Sequence, residues 1–248
     1  MNTPLQILEK YWGFTSFRSK QEAIIEAVLN GQDTMVLLPT GGGKSVCFQI
    51  PALLNEGIFI VISPLVALMT DQVNGLQKKG IKALALKGGI SFDELRVLLD
   101  NATYGNYKFL YLSPERLQQE IVQNYIKQMN VNTIAVDEAH CISQWGSDFR
   151  PAYRNISILR ELHPLVPIIA LTATATPKVL ENTIDELKIE LPNVFKDSFV
   201  RKNISYQVIE EDDKLYQIER LLKNNAGSAI VYVRSRNMAV EINNQLNS

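Results

Sequence analysis

The stretch from Thr34 to Ser45, T-M-V-L-L-P-T-G-G-G-K-S, limits what this chain can fold into more than any other. A short β-rich apolar run, Thr34 to Leu38, ends in Pro39-Thr40, and three glycines, Lys44 and Ser45 follow before a run that can continue as helix. This reads as strand, phosphate-cradling loop and helix N-terminus. Glycines let backbone N–H groups turn toward an anion, and the helix start adds the positive end of its dipole. Lys44 has the reach to meet outer phosphates, and the Ser45 hydroxyl suits Mg²⁺. The general eight-residue pattern asks for a glycine five positions before Gly43, where Leu38 stands. The competing reading is a Gly-rich turn followed by a solvated lysine. The flanking strand and helix favour the phosphate loop, because the mechanism needs both.

A chain of 248 residues has room for one large domain or one and a half smaller ones. With 46% hydrophobic and 21% charged residues it has the composition of a globular protein with a substantial core. No apolar run approaches the ~20 residues of a membrane span, and the N-terminus lacks the basic start and apolar centre of a signal peptide. Cys47 and Cys141, the two cysteines, form no C-x-x-C pair; they suit a reducing compartment and point to no zinc site. A cytoplasmic location is expected, nucleoid-associated if the source is bacterial. The net charge of −1 carries no strong basic field, so nucleic-acid binding would rest on local groups.

Along the chain, residues 4 to 12 suit a short helix ending near Gly13. Ser19 to Glu22 reads as a capping box for a second helix, with Gly31 at its C-terminal end. A helix should cover about 44 to 54, with Pro51 a possible kink. Apolar runs of strand length then recur near 58–62, 82–86, 108–112, 132–136 and 167–171, separated by helical stretches at 65–78, 92–102, 115–128 and 152–162. Fully apolar strands alternating with helices predict an α/β fold, a three-layer parallel sheet covered on both faces. Ser63-Pro64, Ser91 with Glu94, Ser113-Pro114 and Thr176-Pro177 look like helix openings. Ligands of such a sheet bind beyond the C-terminal ends of its strands. After a strand at 194–199 the pattern changes: a strand at 203–210, an acidic helix to about 224, a strand at 228–233, and a last helix opened by Ser235. These segments cannot close a core of their own.

Ile134 to His140, I-A-V-D-E-A-H, places two carboxylates directly after a buried strand, the arrangement of a Walker B site. Asp137 would hold Mg²⁺ opposite Lys44 and Ser45, and Glu138 would orient and deprotonate an attacking water. An acidic loop at a strand end is common by itself; a phosphate loop upstream in the same sheet gives the pair its meaning.

D-E-A-H followed by C-I-S-Q-W-G-S-D-F-R-P resembles motif II and the aromatic-rich loop of the RecQ family of DNA helicases, within helicase superfamily 2. T-G-G-G-K-S resembles motif I of that superfamily, whose form does not require the glycine that Leu38 replaces. F-R-S-K-Q-E-A-I resembles motif 0, S-P-L-V-A-L-M-T-D-Q-V motif Ia, Y-L-S-P-E-R-L motif Ib, A-L-T-A-T-A motif III and I-V-Y-V-R-S-R motif IV. The match runs through nearly the whole chain in the family's order. Motifs V and VI, with the family's arginine finger, are absent from these residues, as are the zinc-binding, winged-helix and HRDC regions of many members.

The resemblance implies a RecA-like P-loop NTPase domain over 1–203, followed by the incomplete start of a second RecA-like domain over 204–248. It implies ATP and Mg²⁺ as cofactors, and single-stranded DNA and its junctions with duplex as partners, with no membrane partner; oligomeric state stays open. Phe14 would stack on adenine, Arg18 pack on the base and Gln21 read its amino edge and N7, while Phe17 is a core residue. Thr40, Gly41, Gly42, Gly43, Lys44 and Ser45 would cradle the phosphates. Ser63, Pro64, Ser113, Trp145, Phe149 and Arg150 would meet DNA. The two serines are equally readable as helix caps, and one of Trp145 and Phe149 should be mainly structural. His140 would relay between Asp137-Glu138 and motif III rather than act as a base, Thr172 and Thr174 would couple the two domains, and Gln144 would share in this coupling; the two threonines also read as caps at a helix entry. The expected activity is ATP-driven 3′–5′ translocation and unwinding by a RecQ-type helicase. An RNA helicase of the same superfamily, and a nucleotide-dependent DNA-binding module that does not unwind, are the rivals.

Overall fold

The computed structural model describes residues 2–145, 150–198, 200 and 203–246. The chain divides into two units, Met1–Phe199 and Val200–Ser248, each described by itself.

In the first unit seven strands, β1 (Thr34–Leu37), β2 (Ile58–Ile62), β3 (Ala83–Leu86), β4 (Phe109–Leu112), β5 (Val131–Val136), β6 (Ile168–Thr172) and β7 (Asn193–Lys196), form a sheet in the order β3-β4-β2-β5-β6-β1-β7. Every pairing is parallel. The helices are α1 (Pro4–Trp12), α2 (Gln21–Leu29), α3 (Lys44–Leu54), α4 (Val66–Lys78), α5 (Phe92–Tyr104), α6 (Pro114–Leu117), α7 (Glu120–Gln128), α8 (Ile158–Leu162) and α9 (Pro177–Glu186), with 3₁₀ segments at Ala139–Ile142 and Pro151–Ser157.

Strand β2 shows why the sheet is covered twice. Ile58, Ile60 and Ile62 pack with Leu95 and Leu99 of α5 and Val122 and Ile126 of α7. The alternate residues, Phe59 and Val61, pack with Phe48 of α3 and Met69 and Val73 of α4. Side chains alternate faces along a strand, so an apolar run without polar alternation needs two apolar partners. Phe59 stands between Phe48 and Phe109 at ring-centroid distances of 5.8 and 5.9 Å, and burying a side chain of this size contributes about 2–3 kcal/mol. The expected three-layer α/β sheet is therefore present. Helix α1, opened by a reciprocal Thr3–Gln6 capping box and closed by left-handed Gly13, packs Ile7 and Leu8 on Ile25 and Ile50.

Several local expectations are corrected. The capping box at Ser19 does not form: the residue before α2 is Lys20, which makes no side-chain cap. Ser63-Pro64 does not open a helix, since α4 begins at Val66 after Leu65 and the Ser63 N–H donates to the Leu112 carbonyl. The stretch 115–128 is two helices, broken between Leu117 and Glu120. The stretch 152–162 is 3₁₀ before it is α. The Ser91–Glu94 box does form and opens α5.

The second unit holds α10 (Lys214–Asn224), capped by Asp213, and α11 (Arg236–Leu246). The expected strands at 203–210 and 228–233 are absent, and none of the described residues of this unit is buried. A strand forms only by pairing, and these two have no ladder partner. Tyr206, Val208, Ile230 and Tyr232 are exposed.

Candidate functional site

The loops after β1, β2, β4, β5 and β6 all leave the C-terminal edge of the sheet, and the candidate residues sit on them. After β1, the Leu38 N–H still pairs with the Thr172 carbonyl, and a tight turn then donates Gly42 N–H to the Pro39 carbonyl. Gly41 (φ 80°) and Gly43 (φ 76°) are left-handed, where a side chain is strained. A Cβ on Gly43 would also lie 2.3 Å from Gln21 Nε2. That contact exists because Gln21 Nε2 donates to the Gly42 and Gly43 carbonyls at 3.3 and 3.2 Å, while its Oε1 accepts from Arg18 N–H. Arg18 in turn donates to the Gly41 carbonyl and lies 5.6 Å from the centre of the half-exposed Phe14 ring. The structure thus brings Phe14, Arg18 and Gln21 onto the glycine loop. Phe17 is partly buried against the α1–α2–α3 cluster. Lys44 Nζ reaches back to the Leu38 carbonyl at 3.4 Å, and Ser45 follows it on the first turn of α3. Thr40 is exposed on the loop.

Asp137 N–H continues the sheet by donating to the Ile62 carbonyl, and the Tyr153 hydroxyl donates to the Asp137 carbonyl. The Asp137 carboxylate is almost entirely buried. Its Oδ1 accepts from Glu138 N–H at 3.0 Å and its Oδ2 from Gln72 Nε2 at 3.5 Å. Burial pushes its pKa up to about 6, and the charge of Glu138 acts in the same sense; the Glu138 N–H, Lys44 and Gln72 oppose. A buried carboxylate facing a lysine and a second carboxylate is an oxygen donor set for a hard divalent cation. Among the described residues no cluster of three or more His, Cys, Asp and Glu side chains could hold a metal alone. An ion here would complete its shell with phosphate and water, as Mg²⁺ commonly does.

Glu138 itself adopts a left-handed backbone (φ 47°, ψ 45°), a conformation that costs a non-glycine residue roughly 1–2 kcal/mol. Its carboxylate lies 3.4 Å from His140 Nδ1, which is also 2.7 Å from Thr172 Oγ1. Thr172 is the last residue of β6 and its hydroxyl accepts from Thr174 N–H. The cap at the entry to α9 is Thr176, not Thr172 or Thr174.

The remaining candidates are spread along the same edge. Ser63 is fully buried with its N–H committed to the sheet and its hydroxyl oxygen unpartnered inside, so it presents no donor at the surface. Arg150 Nη1 donates to the Pro64 carbonyl at 2.9 Å. Ser113 caps the four-residue α6 through Arg116 N–H. Trp145 is 57% exposed, with Lys178 Nζ 3.3 Å from the ring centre. Gln144 accepts from Arg154. Phe149 lies outside the described residues.

Sequence reasoning missed Gln72, Tyr111 and Gln49, which stand in line behind Asp137. The one signal was a tyrosine and two glutamines at positions otherwise apolar.

A parallel sheet with a glycine-lysine phosphate loop after β1 and a paired carboxylate after β5, the two strands separated by β6, defines a nucleotide-binding motor domain of the RecA-like kind. The chain belongs to the DEAD/DEAH box helicase family, which it matches over residues 18–183. It is 44% identical over 243 residues to the ATP-dependent DNA helicase RecQ of Bacillus subtilis (strain 168), covering 97% of this chain and 41% of that protein. It is 41% identical over 241 residues to the ATP-dependent DNA helicase RecQ of Pasteurella multocida (strain Pm70), covering 97% and 38%. It thus spans about two fifths of the length of these curated relatives. In fold it is similar to the Mycobacterium smegmatis helicase Lhr, solved bound to ssDNA and AMP-PNP, with a TM-score of 0.72 at 19% identity over 99% of this chain and 35% of that one.

Proposed function

We propose that this chain is the ATP-binding motor portion of a RecQ-type ATP-dependent DNA helicase that translocates 3′ to 5′ on single-stranded DNA and opens its junctions with duplex. The observation that carries this reading is the Asp137–Glu138 pair at the end of β5, within electrostatic reach of Lys44 on the loop after β1. The printed names of the relatives supply the substrate class.

In this reading Phe14, Arg18 and Gln21 receive adenine, and Lys44 with the loop from Thr40 to Ser45, whose Gly42 N–H instead closes the turn, receives the phosphates. Ser45 and Asp137 would hold Mg²⁺, which when bound neutralises charge on the transferred phosphoryl group. Glu138 accepts the proton of the attacking water. Its carboxylate faces His140, whereas that of Asp137 is held by Gln72 and the Glu138 N–H, so the two carboxylates serve different purposes. His140 passes the state of Glu138 to Thr172 and Thr174, and Gln144 ties in the loop that bears Trp145. DNA phosphates would meet the open N-terminus of α4 next to Pro64, together with Ser113 and Arg150, and Trp145 would stack on a base. Ser63 is set aside, for the reason given above. Residues 204–248 would begin the second RecA-like domain.

The test is ATP turnover without nucleic acid, with single-stranded DNA and with RNA of equal length, followed by unwinding of 3′-tailed and 5′-tailed duplexes by a protein extending through both motor domains. Stimulation by DNA and opening of the 3′-tailed duplex are expected. Stimulation by RNA instead would make it an RNA helicase; DNA binding without turnover would make it a binding module.

A further inference from the structure

Behind the carboxylate of Asp137 runs a line of polar groups through an otherwise apolar layer. Gln49 Nε2, on α3, lies 3.4 Å from the Tyr111 hydroxyl of β4. That hydroxyl lies 3.0 Å from Gln72 Oε1 on α4, and Gln72 Nε2 lies 3.5 Å from Asp137 Oδ2. Tyr111 is fully buried and Gln49 nearly so, among Phe48, Phe59, Phe109 and Val73.

We propose that Gln72 is a positioning residue for Asp137, its amide held in one orientation by Tyr111 and Gln49, so that the carboxylate is presented to Mg²⁺ already oriented. This rests on the reading of Asp137 as a metal-holding carboxylate.

The chemistry of the four groups fixes the direction. An ionised carboxylate only accepts, so Gln72 must offer it Nε2 and turn Oε1 the other way. Oε1 then needs a donor, and the Tyr111 hydroxyl has one proton to give. Gln49 Nε2 supplies a donor to the tyrosine oxygen, which leaves its proton pointing at Gln72. Burial holds the phenol pKa well above its ordinary range, so Tyr111 stays a donor. If Tyr111 lost its hydroxyl, the Gln72 amide would be free to turn its oxygen toward Asp137, where two acceptors would repel. With Glu138 N–H on Oδ1 and Gln72 on Oδ2, both oxygens are clamped, and each keeps a lone pair for a cation. The line also begins one helical turn beyond Ser45 on the same helix. It ties the element bearing one proposed metal ligand to the side chain of the other, through β4 and α4. Outer-shell partners of this kind typically set metal affinity by tenfold or more.

The experiment titrates Mg²⁺ against a fluorescent ADP analogue bound to the 248-residue chain, with binding also measured in EDTA. Gln72→Met and Tyr111→Phe are expected to raise the Mg²⁺ midpoint about tenfold and several-fold, while affinity in EDTA stays that of the unsubstituted chain. Because both act on one line, the double variant should be no worse than Gln72→Met alone. Tyr111→Phe removes a single oxygen and keeps the aromatic packing, so it decides the matter if Gln72→Met fails to fold. Unchanged Mg²⁺ midpoints in folded variants would overturn the positioning role. So would an equal loss of affinity in EDTA, which would mark the line as support for the fold alone. An unsubstituted chain that bound the nucleotide with no response to Mg²⁺ would instead overturn the reading of the site, and the positioning role with it.

Discussion

His140 Nδ1 lies 2.7 Å from Thr172 Oγ1, a hydrogen bond that joins the turn after β5 to the last residue of β6. The same nitrogen faces Glu138 Oε2 at 3.4 Å. Nδ1 thus stands between a carboxylate oxygen and a hydroxyl, and whether it donates to the hydroxyl or accepts from it follows the ring's tautomer. The imidazole bridges the Glu138 side chain and the strand end that leads to Thr174.

Thr172→Val keeps the shape of the buried residue but removes the hydroxyl that bonds His140 and accepts from Thr174 N–H. We expect a stability loss of about 1–2 kcal/mol, nucleotide affinity near that of the unsubstituted chain, and a DNA-stimulated ATPase rate reduced at least tenfold in the protein extended through both motor domains. Calorimetry and steady-state turnover check the two halves. Undiminished stimulation would mean that the bond is structural only.

Gln21 makes a second separable contribution. Its amide nitrogen holds the carbonyls of Gly42 and Gly43, so it shapes the phosphate loop as well as facing the proposed base. Gln21→Glu turns a carboxylate oxygen toward those carbonyls. ATP affinity is expected to fall about tenfold or more, the equivalent of losing one or two hydrogen bonds. The ratio of ATP to GTP affinity in calorimetry separates the two roles. A lower ratio is expected; an unchanged ratio would restrict Gln21 to the loop.

Glu138 carries backbone strain that its neighbours do not. Glu138→Gln should bind nucleotide normally and lose at least a hundredfold in turnover, because the amide cannot take a proton from water. Glu138→Gly should lose turnover as well, yet melt at a higher temperature, since glycine takes the left-handed conformation without penalty. A lower melting temperature for the glycine variant would show that the side chain contributes more than the strain costs.

Much of this architecture was legible in the chain. The apolar runs at 58–62 and 108–112 had no polar alternation and became interior parallel strands, and T-G-G-G-K-S and D-E-A-H fell on one sheet edge as strand-end loops. What misled were local signals that tertiary pairing outbid. Ser63-Pro64 has the form of a helix opening, but the Ser63 N–H is taken by the neighbouring strand. Ser19 has the spacing of a cap but adopts φ 38°, and Lys20 rather than Ser19 precedes the helix. The line from Gln49 to Asp137 joins residues 49, 111, 72 and 137, and no periodicity within one element can reveal such a contact.

Asp137 makes a prediction about pH. Its folded pKa of about 6 stands above the ordinary 3.8. Below about pH 4 the carboxyl is protonated in folded and unfolded chains alike, and the stability that goes with the neutral form is fully present. As pH rises through about 6, the folded chain must ionise a buried group that the unfolded chain ionised earlier, and that stability is lost. In EDTA the melting temperature should therefore fall between pH 4 and 7 by more in the unsubstituted chain than in Asp137→Asn. The difference at pH 7 should correspond to roughly 1–3 kcal/mol, reduced by whatever the asparagine amide loses against Gln72. Parallel melting profiles for the two proteins would contradict the environment assigned to this carboxylate.

The second unit supplies the last prediction. Its two helices carry apolar residues, yet none of its described residues is buried, and its two strand-like segments lack ladder partners. Helices of 11 residues are marginal by themselves, and unpaired strand segments have nothing to protect their amides. The first unit, by contrast, has β2 and β5 buried in mid-sheet with helices on both sides. Hydrogen exchange on the 248-residue chain should show residues 203–210 and 228–233 exchanging at nearly the rate of unstructured peptide, while β2 and β5 exchange only by global opening. Limited trypsin should cut first between residues 196 and 214, leaving a fragment that retains the Mg²⁺-dependent nucleotide binding of the whole chain. Val208→Asp and Tyr232→Asp, at exposed positions, should leave its melting temperature unchanged within about a degree, because surface substitutions without partners cost little. Strong protection at 228–233, or a melting temperature lowered by either substitution, would show that these segments do find a packed partner within the chain.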